Sequence, residues 1–494
     1  MNIDNGLLKL FHCFRLRRVW PFLLGGAVLV NLISCSSVPP PVVPSPEPEF
    51  TTPPQLEDVP PEPEILTVQG ILTRIAELLE KRDYDGALAL FDEIDSPELE
   101  TVPLRLIKAT ILLSAGRAGE GRVIVEEIIT GEPDNTEALL VLASIEAASG
   151  RDREQRTLLD RILKLDPANI RALNTLGNMA LGAGSVRTAA SYFDRTLAAA
   201  PDDRDALIGR ADSYRRERKF AEAEALLNKA VTLYPQWPLG LSQRARLYRN
   251  AGYPNQALED LDKAKELAGD DYWIACDRGN VLLDLNRKPE ALEEFNRAIT
   301  IDPGAFVAYV YSAGIKDDLG DYDGAERDYI TLARLNPEYY FAFEGIGIHK
   351  MRRGLWGEAR DAFAEAYKRA PQEWTYALLT AMNWMRAGRP SDPRQYLEQA
   401  LRGVQRETLP WYMFRLYHDL SGDNDVAIRI DRERNVETKA RMLYYLAEYY
   451  DIRGNKNLAD RYFLQVRELN RKYILEWRLN EWALEKRGDF LTDR

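Results

Sequence analysis

The residues of this chain that could do chemistry are few and scattered. Three cysteines occur, Cys13, Cys35 and Cys276, too few for a disulfide framework. The three histidines, His12, His349 and His418, form no cluster with metal-ligand spacing, so no metal and no cofactor is expected. Cys276 reads as a semi-buried structural thiol. Asp83-Tyr84-Asp85-Gly86 and Asp321-Tyr322-Asp323-Gly324 carry oxygen donors at calcium-like spacing but lack a closing glutamate, which makes them helix caps. Asp423, Asn424 and Asp425 mark an acidic loop, a somewhat better calcium candidate. Gly345-Ile346-Gly347 opens like a dinucleotide loop without its third glycine and is assigned to packing. The sequence has no Gly-x-Ser-x-Gly elbow, no His-Glu-x-x-His, no Cys-x-x-Cys and no phosphate loop ending in Gly-Lys-Ser/Thr. An enzyme is not expected.

Chemistry of another kind attaches to Cys35. Lys9, Arg15, Arg17 and Arg18 precede an apolar run from Val19 to Ile33, too short to span a bilayer, which is the layout of a secretory signal. The run ends Leu32-Ile33-Ser34-Cys35, which resembles the bacterial lipobox. That resemblance implies a signal peptide over 1–34 and lipidation of Cys35, whose thiol would carry a diacylglycerol and whose freed amine a further chain such as palmitate. Several acyl chains anchor far more firmly than one. Ser36, where an aspartate would imply inner-membrane retention, points to the outer membrane. Residues 35–67 then form a proline-rich linker, with Pro39-Pro40-Pro41, Pro53-Pro54 and Pro60-Pro61 among interspersed acids. Proline blocks helix and sheet alike, so the linker is expected to be disordered and extended. At about 3.1 Å per residue its proline tract would reach roughly 80 Å from the lipid surface.

The rest of the chain is periodic. Pro133, Pro167, Pro201, Pro235, Pro303, Pro337 and Pro371 fall on one 34-residue grid, with Gly269 in its single gap. Ala189, Ala223, Ala257, Ala291, Ala325 and Ala359 form a second comb, and Gly116, Gly150, Gly184, Gly252, Gly320, Gly354 and Gly388 a third. Each has a physical cause. The glycine ends a first helix where the turn needs positive φ. The alanine lets a second helix approach its partner closely. The proline stops that second helix. Leu173, Leu176 and Ala180, then Ala189, Phe193 and Leu197, place apolar residues at helical spacing on both helices of one unit. A helix pair of this kind cannot bury its faces alone, so neighbours must stack.

Leu176-Gly177 with Ala189 and Phe193, Gly279 with Ala291, Phe295 and Ala298, and Gly347 with Ala359, Phe363 and Ala366 resemble the tetratricopeptide repeat (TPR). The resemblance implies an all-α, helix-turn-helix superhelical solenoid of about ten or eleven repeats. The expected array covers 68–404. An irregular helical or loop segment follows over 405–440, and 441–494 holds a final repeat (Leu446-Ala447, Tyr450, Gly454, Ala459, Phe463) and a closing helix from Tyr473 to Glu485.

In this family the first helices line a concave groove that takes a segment of a protein partner. On the grid, its lining positions are Asn174, Asn178, Asp212, Arg215, Arg246, Arg249, Asp277, Asn280, Asp284, Asp317, Asp318, Glu344 and Arg352. Arginines precede aspartates along this series, so the groove is expected to change sign along its length and to orient a charged peptide. The family's carboxylate clamp is not reproduced, since Asn178 stands at one clamp position without the neighbouring lysines. Trp374, Trp384, Trp411, Tyr412, Tyr444, Tyr445, Tyr449 and Tyr450 suggest a second docking region, although core packing explains them equally well. A net charge of -12 argues against nucleic acid. The expectation is a membrane-anchored scaffold for other proteins in the bacterial envelope, on the periplasmic face or the cell surface of the outer membrane. Self-association is left open, and the alternative is a surface adhesin that contacts host components.

Overall fold

The structure, a computed structural model, describes residues 68–92, 101–389 and 393–488. The signal segment, Cys35 and the proline-rich linker lie outside the described residues. Contacts divide the chain at Pro235 into two units. Every described element is a helix or a turn, 25 helices in all.

The first unit pairs α1 (Val68–Glu80) with α2 (Tyr84–Asp92), α3 (Val102–Ser114) with α4 (Ala118–Gly131) and α5 (Thr136–Ala148) with α6 (Asp152–Leu165). It continues with α7 (Ile170–Gly182) and α8 (Val186–Ala199), then α9 (Arg204–Arg216) and α10 (Phe220–Leu233). The second unit holds α11 (Pro238–Ala251) and α12 (Pro254–Ala268), α13 (Tyr272–Asp284) and α14 (Lys288–Ile301), and α15 (Phe306–Leu319) and α16 (Tyr322–Leu335). Next come α17 (Tyr340–Arg352) with α18 (Trp356–Arg369) and α19 (Thr375–Arg386) with α20 (Pro393–Leu401). Then the spacing changes. The pair α21 (Leu409–Asp419) and α22 (Asp423–Arg432) is only 11 and 10 residues long. α23 (Val436–Ile452), α24 (Lys456–Leu469) and α25 (Leu475–Glu485) complete the unit.

Each comb has its expected structural role. Gly116, Gly150, Gly184, Gly252, Gly320, Gly354 and Gly388 all have φ between +71° and +86°. The two positions the comb misses, Arg218 and Asn286, are left-handed as well, at φ 60° and 57°. The turn dictates that conformation whatever residue occupies it, and a non-glycine residue there is strained. Ala189, Ala223, Ala257, Ala291, Ala325 and Ala359 are wholly buried. Phe193 shows why small residues recur on the facing helices. Its ring lies between Gly177 and Gly209, where an added Cβ would come within 2.7 Å and 2.2 Å of ring carbons. Phe295 meets Gly279 and Phe363 meets Gly347 in the same way. Gly345 is packing too, since an added Cβ would fall 2.6 Å from the Tyr329 ring. Burying each phenylalanine contributes about 1.5–3 kcal/mol.

Polar residues set the helix starts. The side chains of Asn135, Asn169, Asp203 and Asp271 each accept the backbone N–H three residues on, at 2.8 to 3.1 Å. Asp83 and Asp321 cap second helices similarly, through Gly86 N and Gly324 N at 2.9 Å. A further comb runs between repeats. Arg161, Arg195 and Lys229 donate to the carbonyls of Pro133, Pro167 and Pro201 at 2.5, 2.8 and 2.8 Å, and Arg297 reaches Gly269 O at 2.9 Å. Each ties a second helix to the loop before its own repeat, where a carbonyl lies outside any helix.

At the C-terminal end one expectation is corrected and one open alternative is decided. Asp423, Asn424 and Asp425 do not form a loop but open α22. Leu420 and Gly422, both left-handed at φ 56° and 91°, reverse the chain in a shorter turn. The two acids then suit the positive end of the helix. Tyr444, Tyr445, Tyr449 and Tyr450 are buried, at 0 to 7% exposure, and belong to the core rather than to a docking surface. They share that core with Phe414, Tyr417 and Phe463.

Candidate functional site

The sequence-selected groove positions all lie on first helices, and the structure separates them into three groups. In the first unit, Asn174 is buried and donates through Nδ2 to Asp203 Oδ1 at 2.8 Å, steadying the cap of the next repeat's first helix. Asn178, one turn on, is exposed. Asp212 accepts from Arg215 Nε at 2.9 Å and Arg216 Nε at 2.8 Å, and Arg216 also reaches Leu181 O at 2.8 Å.

In the second unit the charged positions pair with one another across adjacent repeats. Arg246 of α11 meets Asp277 of α13 at 2.8 Å, and Arg249 meets Asp284 at 2.5 Å. Lys288, at the start of α14, meets Asp318 of α15 at 2.9 Å. The expected change of sign along the groove is therefore corrected. Arginines and aspartates spaced about one repeat apart are each other's partners, and the charge cancels locally. Burial lifts the Asp277 carboxyl above its ordinary value, against the pull of Arg246 and Arg249. Asn280, between these rungs, is partly buried and its Oδ1 has no protein partner.

The third group is Asp317, Glu344 and Arg352, on α15 and α17, and it meets α25. Asp317 is 6% exposed at its side chain. Its carboxylate lies 2.9 Å from His349 Nε2, accepts from Tyr329 Oη at 3.0 Å, and lies 3.1 Å from an Arg478 guanidinium nitrogen of α25. Burial alone would raise its pKa, but His349, Arg478 and Tyr329 together hold it below the usual aspartate value. Glu344 behaves oppositely. Burial pushes it up to about 7, although Tyr376 donates to it and Arg478 lies nearby. The Arg352 guanidinium stacks 3.7 Å from the Tyr322 ring centroid, and Tyr322 meets Trp482 of α25 edge to face at 5.6 Å. Lys486 Nζ donates to Arg352 O at 2.8 Å.

Sequence reasoning missed Arg478, Trp482 and His349 as parts of this site. Arg478 and Trp482 stand one turn apart on a helix recognised only as a closing element, so their spacing was legible but their destination was not. Cys276 is buried, and burial pushes its thiol up to about 12, which keeps it protonated and unreactive at neutral pH. The side chains on these faces are hydrogen-bonding, charged and aromatic groups, many of them paired within the chain.

Comparison with known proteins gives the same reading of the repeats. The family described as tetratricopeptide repeat matches residues 174–238, 242–306, 316–373 and 344–407. Over 113 residues the chain is 30% identical to the tetratricopeptide repeat and J domain-containing co-chaperone DNJ1 of Fusarium oxysporum f. sp. lycopersici, a match spanning 22% of each protein. Among solved structures, a tetratricopeptide repeat protein from Parabacteroides merdae is 19% identical, covering 49% of this chain and 96% of that one, with a TM-score of 0.40. The APC/C hetero-tetramer Cut9–Hcn1 is 17% identical, covering 64% of this chain and 63% of that one, with a TM-score of 0.45. With helix pairs on a 34-residue grid, glycine, alanine and proline in their structural places and the family matched four times along the chain, this protein belongs to the tetratricopeptide repeat family.

Proposed function

We propose that this protein is a lipid-anchored scaffold of the bacterial envelope that holds other proteins through the faces lined by its first helices. Proteins of this repeat family are typically non-catalytic interaction scaffolds, and the stacked helix pairs make this chain one for protein partners. The observation that carries the envelope part is Leu32-Ile33-Ser34-Cys35 at the end of a basic-then-apolar leader, followed by a proline-rich spacer. Asn174, Asn178, Asp212, Arg215, Arg246, Arg249, Asp277, Asn280, Asp284, Asp317, Asp318, Glu344 and Arg352 are the proposed contact positions. The paired arginines and aspartates present an alternating surface of low net charge, which suits a partner segment read by hydrogen bonds more than one steered by long-range charge.

Affinity capture after cross-linking in the native cells tests the proposal, with Cys35→Ala as the unlipidated control. Envelope proteins recovered with the native form and lost with Cys35→Ala support it. A chain that proteases shave from intact cells, and that recovers no bacterial partner, contradicts it and favours the adhesin reading.

A further inference from the structure

Most of α25 packs as a closing helix should. Leu479 and Leu484 are buried in the cluster they share with Tyr444, Tyr445 and Phe463. A second stripe, Arg478 and Trp482 of the same helix with Lys486 at its C-cap, faces elsewhere. It reaches α15 through Asp317, the start of α16 through Tyr322, and α17 through Arg352. These elements lie more than 130 residues earlier in the chain. Glu476, fully buried, extends the contact to α19 with a hydrogen bond from Thr375 Oγ1 at 3.1 Å.

The floor under this stripe gathers several ionisable groups in one place. Other facing helices combine alanine, glycine and phenylalanine contacts with single buried ion pairs, such as Arg244 with Asp260 and Lys316 with Asp328. Here they meet through Asp317, Glu344, His349 and Tyr329. Buried ion pairs add little net stability, because desolvation offsets their attraction, whereas they define register and partner sharply. A floor of ionisable groups also tolerates water when it is uncovered. An apolar floor does not. Both properties suit an exchangeable helix better than a permanent one.

We infer that the face formed by α15, α17 and the start of α16 is a recognition site for an amphipathic helix carrying arginine and tryptophan one turn apart, and that α25 occupies it in cis until a partner helix of that chemistry replaces it. Asp317 takes the guanidinium, and Tyr322 with Arg352 takes the indole. The inference rests on the scaffold reading and names the class of partner segment for one of its faces. A site whose competent state is seldom open binds with an affinity reduced by that fraction, so weakening the cis helix strengthens binding in trans.

The test uses the full chain and a fluorescein-labelled peptide of residues 472–488, read by fluorescence anisotropy. Arg478→Glu with Trp482→Ala in the protein loosens the cis helix, and the peptide then binds at least tenfold tighter than to the native chain. Adding Asp317→Lys abolishes that gain. A folded double variant that binds no better than native protein, or a gain indifferent to Asp317→Lys, overturns the inference. Should the double variant fail to fold, hydrogen exchange on native protein decides. Amides of 475–485 exchanging ahead of those in 436–469 support a displaceable helix, and equal protection overturns it. The readout uses purified protein alone, so its failure leaves the envelope capture experiment standing, and failure of that capture leaves this result standing.

Discussion

The repeats between 136 and 235 and the off-grid segment from 409 to 485 face the same task, burying one stripe of each helix against its neighbours, and they meet it with different residues. In the first region the contact is small against large, repeated every 34 residues. Phe193 fills a space left by Gly177 and Gly209 while Ala189 and Ala223 bring backbones together. In the second, large residues meet large ones. Tyr417, Tyr444, Tyr445, Phe414 and Phe463 are fully buried, and the tyrosine hydroxyls need partners inside the core. Tyr417 Oη donates to Tyr445 O at 2.8 Å, and Tyr445 Oη donates to Glu476 at 3.1 Å. Repetition makes a structure whose parts are interchangeable. The C-terminal segment instead joins its helices through hydrogen bonds of buried tyrosine hydroxyls.

The largest expected effects come from emptying either core. Phe193→Ala and Tyr417→Ala should each destabilise by about 3–5 kcal/mol. They should differ in reach. In a stack where each repeat touches only its neighbours, loss at Phe193 is expected to expose amides of α7 to α10 and leave α23 and α24 protected, as hydrogen exchange would reveal. Tyr417→Ala should deprotect α21 to α25 together, since Tyr417 and Glu476 both hold Tyr445. Uniform deprotection in both variants would erase the distinction between the regions.

Overpacking sharpens the contrast further. Gly209→Ala forces a Cβ into the Phe193 ring and should lower stability by about 1–3 kcal/mol in chemical denaturation. Gly116→Ala meets no side chain, so any loss there reflects only the left-handed backbone.

The polar floor beneath α25 predicts a pH signature. Glu344 has its folded pKa raised to about 7 from 4.5, with Tyr376, Arg478, Glu476 and Glu373 around it. The folded state therefore binds more protons than the unfolded state between those values. This group's contribution is fully present below about pH 4.5 and is lost as pH rises towards 7. Asp317, held below its ordinary value, works the other way, and its contribution is lost only in acid. Glu344→Gln should flatten the dependence of Tm on pH between 4.5 and 7. An unchanged slope would show that Glu344 does not titrate there.

Smallest is Arg218→Gly. Arg218 holds a left-handed conformation that glycine adopts freely, and the substitution should raise stability by about 0.5–1 kcal/mol in the same denaturation experiment.

How much was legible in the sequence follows the same division. Periodic residues announce themselves, so the helix pairs, the positions of their turns and the buried alanines could be read from spacing alone. Asp321 could be assigned to a cap because its aspartate stands three residues before a glycine at a helix start. The comb of Arg161, Arg195, Lys229 and Arg297 was equally periodic and went unread, since a basic residue on a helix ordinarily signals solvent rather than a bond to a distant carbonyl. Arg246, Arg249, Asp277 and Asp284 were placed on the right helices, but their pairing needed the offset between adjacent repeats. Nothing local marks Asp317 and Arg478 as partners, because the contact joins residues 161 positions apart on elements of different register. Asp423 to Asp425 misled because the same acids that solvate a loop also favour a helix start.

The central claim is that the first-helix faces hold protein partners. Photo-cross-linking in living cells tests it most directly, with the reactive residue placed at Asn178, exposed on α7, or at Val123, 56% exposed on the second helix α4. Discrete protein adducts from position 178 and none from position 123 are the predicted result. Adducts from position 123 with none from position 178 would contradict the account.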